Sequence, residues 1–128
     1  MSAVKEDRAG RAEGVRELID FAVARESDTH VLLDLIERGS LPLRVTHNDT
    51  KLNNILFDRD SNDGICIIDL DTVMPGLSLY DFGDSIRFGA NTAAEDEKDV
   101  SKVSLSLPLY EAYTRGYLSS AKDSLTET

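Results

Sequence analysis

The chain has a single cysteine, Cys66, among its 128 residues. One cysteine excludes an intrachain disulfide framework and any Cys-rich zinc site. No apolar run approaches the roughly 18 residues that a membrane-spanning helix needs. The opening residues, Met1-Ser2-Ala3-Val4-Lys5-Glu6-Asp7, lack the apolar stretch of a secretory signal, so a reducing, cytoplasmic setting is expected. Basic residues are in the minority, with 14 Lys and Arg against 24 Asp and Glu and a net charge of −10. Nucleic acids and anionic membranes select Lys/Arg patches, so neither is an expected partner. What is present is enough apolar matter for a core, 41% of residues. That amount suits one compact domain, or part of a larger one.

The pattern from Asp7 to Ala24 predicts a helix, with Val15, Leu18, Ile19 and Ala22 on one apolar stripe. Ser27 reads as the N-cap of a second short helix carrying Leu32, Leu33, Leu35 and Ile36. Gly39 is placed to end that helix and Pro42 to prevent its continuation. The texture then changes. Leu43 to His47 alternates like a strand, Asn48 to Asn54 is a polar loop, and Ile55-Leu56-Phe57 is a second strand. Asp58 to Gly64 is a turn, Ile65 to Ile68 an apolar strand with Cys66 as a buried small hydrophobe, and Met74-Pro75-Gly76 a turn. Leu79 to Phe88 reads as a helix and Asn91 to Asp99 as a solvated acidic loop. A last helix starts near Ser106 with Pro108 in its first turn, its Tyr110, Tyr113 and Tyr117 stripe serving as core packing.

Chemistry concentrates in His47-Asn48-Asp49-Thr50-Lys51-Leu52-Asn53-Asn54 and, where the apolar strand ends, in Ile68-Asp69-Leu70-Asp71. An Asp with an Asn five residues later in one loop, followed by a strand-end Asp, resembles the catalytic loop and metal-binding segment of the kinase fold. A hydroxyl nucleophile needs a carboxylate to orient it and take its proton, and Mg²⁺ on nucleotide phosphates needs hard oxygen ligands. Leu41 to Lys51, with Ile68 to Gly76, narrows the resemblance to the aminoglycoside phosphotransferase/choline kinase superfamily, and within it to N-acetylhexosamine 1-kinases.

That resemblance implies an α+β fold: a protein-kinase-like C-lobe core with helices packed around short strands that carry the two segments. It implies Asp49 as catalytic base, Lys51 facing the transferring phosphoryl group, and Asn54 and Asp69 as Mg²⁺ ligands. Asp71 is either a further metal contact or a loop-stabilising acceptor. His47 would be a scaffold residue of the loop, and Asp81, following Tyr80, would brace that loop through backbone amides. Asp81-Phe82-Gly83 spells the protein-kinase metal motif, but it does not end an apolar strand, so Asp69 suits the metal better. Arg87 could reach a substrate hydroxyl or pair with an acidic neighbour. The implied reaction is ATP- and Mg²⁺-dependent phosphorylation of an N-acetylhexosamine at its anomeric hydroxyl. The alternatives are another small hydroxyl acceptor (choline, homoserine or an aminoglycoside), or a non-catalytic module stable only as an oligomer.

Two further patterns are decoys. Asp58-x-Asp60-x-Asn62 resembles the start of an EF-hand loop, but Asp63 stands at the required glycine and Asp69 at the required glutamate. Asn48-Asp49-Thr50 is formally a glycosylation sequon without a signal peptide.

The residues ahead of Asp49 supply no glycine-rich hairpin, so residues 1–128 are expected to be one partial kinase-like C-lobe domain without a nucleotide lobe or a second domain. On that expectation two apolar faces lack cover, the Val15/Leu18/Ile19/Ala22 stripe and the Leu109/Tyr113/Tyr117 side of the last helix. Large uncovered apolar patches are uncommon on soluble monomers. The charge of −10 opposes association, but salt screens it beyond ~8 Å. The expected outcome is a two-fold homodimer. Light scattering at micromolar concentration checks it, and a 14.1 kDa monomer would overturn it.

Overall fold

A computed structural model describes residues 2–125, which form an α+β chain with five α-helices and two small antiparallel sheets. It divides into two compact units, one ending at Leu41 and one beginning at Pro42.

The first unit is helical. Helix α1 spans Ser2–Glu6, α2 spans Arg16–Val23 and α3 spans Val31–Glu37. The helix expected from Asp7 begins only at Arg16, after a 3-10 turn at Glu13–Val15. Asp7 is the reason. Its φ is 35° and that of Gly10 is 62°, while Asp7 Oδ1 accepts the N–H groups of Arg11 and Ala12 at 2.8 and 3.2 Å. A side chain that captures nearby amides competes with the helix for them. Ser27 is not a cap either: it lies inside a 3-10 turn, Glu26–His30, that leads into α3. The end of α3 is as expected. Gly39 sits at φ 71°, its N–H donates to Ile36 O at 2.9 Å, and Ser40 N–H donates to Leu35 O at 2.9 Å. This paired arrangement satisfies the last carbonyls of a helix and requires a residue that tolerates left-handed backbone.

The second unit carries both sheets. Strands β1 (Arg44–Thr46) and β4 (Met74–Gly76) form one pair, with Val45 opposite Pro75. Strands β2 (Ile55–Phe57) and β3 (Gly64–Ile67) form the other, a hairpin with an irregularity between Leu56 and Phe57. Met74-Pro75-Gly76 is thus a strand, not the expected turn. A two-stranded ladder has an open edge on each strand, which lets proline sit in β4 without breaking a central hydrogen bond. In the hairpin turn Asp58 Oδ1 accepts from Asp60 and Ser61 N–H at 3.0 and 2.9 Å, which holds its carboxyl below the usual range. Every residue of β3 is exposed, Cys66 included, which corrects its expected burial. Apart from its partner β2, no element among the described residues packs substantially against β3, so its side chains stay open to solvent.

Helix α4 spans Ser78–Gly89 and α5 spans Leu107–Ala121. Ser106 caps α5 through its hydroxyl and Pro108 lies in the first turn, as expected. Phe82 of α4 meets Tyr117 and Tyr113 of α5 at ring separations of 5.0 and 6.0 Å. Tyr110 is outside these ring contacts, and Tyr110 and Tyr113 are each 38% exposed, so the stripe is a half-open contact with Phe82 through Tyr113 and Tyr117 and not the expected core packing. The segment between the helices is tied back on itself, with Asn91 bridged to Leu105 and Thr92 N–H donating to Ser104 O at 3.0 Å. No helix among the described residues is long and apolar enough to cross a membrane.

The β1–β4 pair depends on a small residue at 76. Thr46 is 1% exposed and its hydroxyl donates to Met74 O at 2.9 Å. A Cβ on Gly76 would collide with the Thr46 Oγ1 and stand 3.3 Å from its Cγ2. Thr46 is buried and hydrogen-bonded, so it cannot swing aside. Gly76→Ala should cost about 1–3 kcal/mol of stability by overpacking. Urea unfolding checks this, and an unchanged midpoint would show that the strand pair gives way freely.

Candidate functional site

The 47–51 loop leaves β1 at Thr46 and turns across the start of α4. Its amides lie outside any helix or strand and need acceptors. Two carboxylates of α4 supply them. Asp81 takes the His47 N–H on Oδ2 at 2.8 Å and the Asn48 N–H on Oδ1 at 2.9 Å. Asp84 takes the Thr50 N–H on Oδ2 at 2.8 Å. The Thr50 hydroxyl lies 2.8 Å from the Asp81 carbonyl and 3.2 Å from Asp84 Oδ2, either of which can accept its proton. Residues three apart share one helix face, which is why one α4 face reaches successive points of the loop. Asp81 also lies in the first turn of α4, where the helix dipole favours a negative charge. Asn48 makes the bend at φ 64°, a conformation Asn tolerates better than most residues.

The same loop is laced to the segment after β3. The His47 ring donates from Nε2 to Ile68 O at 3.0 Å, which selects the tautomer with hydrogen on Nε2 and leaves Nδ1 buried without a partner. Asn48 Nδ2 donates to Thr72 O at 2.9 Å, and the Thr72 hydroxyl returns a bond to His47 O at 2.6 Å. Ile68 N–H donates to Asn54 O at 2.9 Å. The hairpin therefore sets Asn54, just before β2, beside the end of β3, one residue from Asp69.

These contacts fix where each sequence-predicted residue lies. The Asp49 carboxylate is gripped on both oxygens: Lys51 Nζ is 3.4 Å from Oδ1, and Asn54 Nδ2 donates to Oδ2 at 3.0 Å. Asn54 is buried and also donates to the Asp49 carbonyl at 2.8 Å, so its side-chain oxygen is the atom left for another partner. Asp69 is exposed, with φ 62°, and makes no side-chain cap to the 3-10 turn at Leu70–Thr72. Asp71 lies in that turn, also exposed. Arg87 is paired, with Nη2 2.9 Å from Asp84 Oδ1 and 3.3 Å from Glu95 Oε1. A cavity of about 480 Å³ opens beside the loop, with Asp49, Lys51 and Asn54 on its polar wall and Phe88, Leu109 and Tyr113 among its apolar lining.

Three residues of this arrangement were not legible as site residues: Thr50, Asp84 and Glu95. Asp84 stands three residues after Asp81, and that helical spacing is the signal that could have found it. Glu95 belongs to a run of acids that reads as a solvated loop, with nothing local to single it out. Burial alone would push the Asp84 carboxyl up. The Arg87 guanidinium and the Thr50 N–H and hydroxyl outweigh that and hold it below the usual carboxylate range. Arg87 is correspondingly raised, chiefly by its bond to Asp84.

A loop that carries an Asp and an Asn five residues later, joined to an Asp just past a strand, has the layout of the catalytic loop and metal-binding segment of phosphoryl-transfer folds. The family comparison agrees: the model of the phosphotransferase enzyme family (APH) matches residues 3–125. The chain belongs to that family, the group of the aminoglycoside phosphotransferases and choline kinases.

The Asp84 contacts give acid unfolding a specific contributor. A carboxyl whose folded pKa is depressed stabilises the fold above its unfolded value of about 3.9, and this contribution is lost as pH falls through the folded value. Asp84→Asn should therefore flatten the fall in urea midpoint below about pH 4 relative to the parent chain. Equal slopes would show that the Thr50 and Arg87 contacts carry no linkage.

Proposed function

We propose that this chain transfers the γ-phosphoryl group of ATP to the hydroxyl of a small molecule, with an N-acetylhexosamine as acceptor and its anomeric oxygen as nucleophile. The observation that carries the transfer reading is the Asp49 carboxylate, held on both oxygens by Lys51 and Asn54 and facing a cavity of about 480 Å³. That volume lies within the range of small-molecule sites. The choice of a sugar rests on the resemblance of residues 41–51 and 68–76 to N-acetylhexosamine 1-kinases. A cavity with one polar wall and an apolar lining suits a hydroxyl-rich ring bearing an acetyl methyl group.

The donor set fits Mg²⁺ brought in with a nucleotide. Among the described residues no group of three or more His, Cys, Asp or Glu is arranged to hold a metal ion. Mg²⁺ in such sites takes one or two protein ligands and completes its shell with phosphate and water. The Asn54 side-chain oxygen and the exposed Asp69 carboxylate, brought together by the Ile68–Asn54 bond, would be those ligands, with Asp71 next in line. The ion would neutralise phosphate charge as it builds.

The chain's own residues do the rest. Asp49 orients the acceptor hydroxyl and takes its proton as the acceptor oxygen bonds to the γ-phosphorus and the bond to the β-phosphate bridge breaks, releasing ADP. Lys51, beside that carboxylate, offers positive charge to the transferring group. His47 and Asp81 keep the loop in register with the β3 end. In this reading Arg87 works through Asp84 and Glu95, its partners, more than through the substrate.

The test is ADP release with Mg·ATP and a panel of N-acetylglucosamine, N-acetylgalactosamine, choline, homoserine and an aminoglycoside, with the product read by phosphorus NMR. A sugar 1-phosphate from an N-acetylhexosamine is expected. Turnover on choline, homoserine or the aminoglycoside alone would replace the acceptor, and no transfer at all would refute the reading. Asp49→Asn should lower kcat by about 10²-fold or more while nucleotide affinity holds. Asp69→Ala should raise the Mg²⁺ requirement, and Asp81→Ala should lower stability first. The reverse pattern would exchange their roles.

A further inference from the structure

Beyond the two motifs, one feature connects distant parts of the second unit: a closed ring of charge. It runs from Asp84 to Arg87, from Arg87 to Glu95, and from Glu95 to Lys51. The backbone then leads to Thr50, whose N–H returns to Asp84. Arg87 makes the rigid part. Its Nε and Nη2 both donate to Asp84 Oδ1, at 3.1 and 2.9 Å, and its Nη1 and Nη2 both lie 3.3 Å from Glu95 Oε1. Glu95 Oε1 is in turn 3.7 Å from Lys51 Nζ, which stands 3.4 Å from Asp49 Oδ1.

We propose that Glu95 is a positioning residue: held by Arg87, it fixes the Lys51 ammonium beside Asp49. The inference rests on the reading of Asp49 and Lys51 as the residues of phosphoryl transfer, and deepens it. A lysine has a long flexible stem, and one carboxylate partner leaves its head free to swing. A second carboxylate, at 3.7 Å, restricts that position further. The guanidinium fork suits the task of holding Glu95, because it is planar and presents its donors in fixed directions. The ring also explains a residue choice in an otherwise unremarkable acidic run: of Glu95, Asp96, Glu97 and Asp99, Glu95 is the member with ion pairs to Lys51 and Arg87. Exposed ion pairs contribute little stability each, so the expected signature is geometric and kinetic.

Two readouts on Glu95→Gln test this, one independent of activity. In proton–carbon-13 correlation spectra the two Hε protons of an immobilised lysine have separate proton shifts. In Glu95→Gln the Lys51 pair should collapse toward equivalence while those of Lys98 and Lys102 stay unchanged, and an unaltered urea midpoint reports that the fold is intact. An unchanged Lys51 signal overturns the proposal, whether or not the chain transfers phosphate. In turnover, kcat should fall by about fivefold, the rate equivalent of one partly exposed ion pair, with acceptor KM held within about twofold. Added to Lys51→Met, Glu95→Gln should cost nothing further, since its effect runs through the lysine. Additive losses would make Glu95 a merely structural loop residue and overturn the proposal. A parent chain without transfer activity refutes the functional reading alone, and the lysine signals then decide the positioning of Lys51.

Discussion

The acceptance of two consecutive amides by the Asp81 carboxylate is the contact on which the site depends. The chain bends sharply at Asn48, and the His47 and Asn48 N–H groups fall outside every ladder. At the part-buried His47 an unpaired donor would cost up to about 1–3 kcal/mol, and less at the exposed Asn48. Asp81 removes that penalty with charge-assisted bonds from the first turn of α4, where the helix itself favours the negative charge. The bend, and hence the direction in which Asp49 leaves the loop, follows from that pairing. Asp84 repeats the device one helical turn on, at Thr50.

A second set of bonds joins this loop to the end of β3, and these are neutral. His47 to Ile68, Asn48 to Thr72 and Thr72 to His47 bring together segments more than twenty residues apart in sequence. The β2–β3 hairpin closes the same link from the other side through Ile68 and Asn54. Asn54 and Asp69 are thus neighbours because of hairpin register, while Asp49 and Asn54 are neighbours because of loop spacing. Two independent constraints converge on one small region, which is how short, largely exposed strands hold side chains in place.

Charge is unevenly used. The site gathers Asp49, Asp81, Asp84 and Glu95 around two cations, Lys51 and Arg87. Backbone amides offset part of the negative excess at Asp81 and Asp84, and the exposed Asp69 and Asp71 add to it. Such a surface attracts a divalent cation and repels a bare polyphosphate, which supports the proposal that a nucleotide would arrive with its metal.

Local spacing determined much of this in advance. The Asp49-to-Asn54 interval, the β2 and β3 strands, α4, the Ser106 cap and the Gly39 stop are readable because each depends on residues a few positions apart. The family is readable for the same reason, since its two motifs are contiguous. Where the reading failed, a competing or remote partner decided. Asp7 took amides that a helix would have used, and Met74 to Gly76 became a strand because β1 lies opposite. Cys66 is exposed because no described element other than β2 packs substantially against β3. Glu95 looked like one acid among several, since what distinguishes it is Arg87 and Lys51, brought within reach by the path of the chain between α4 and α5. A sequence states which charges exist, and only the tertiary structure decides which of them meet, because an ion pair needs proximity and not adjacency along the chain.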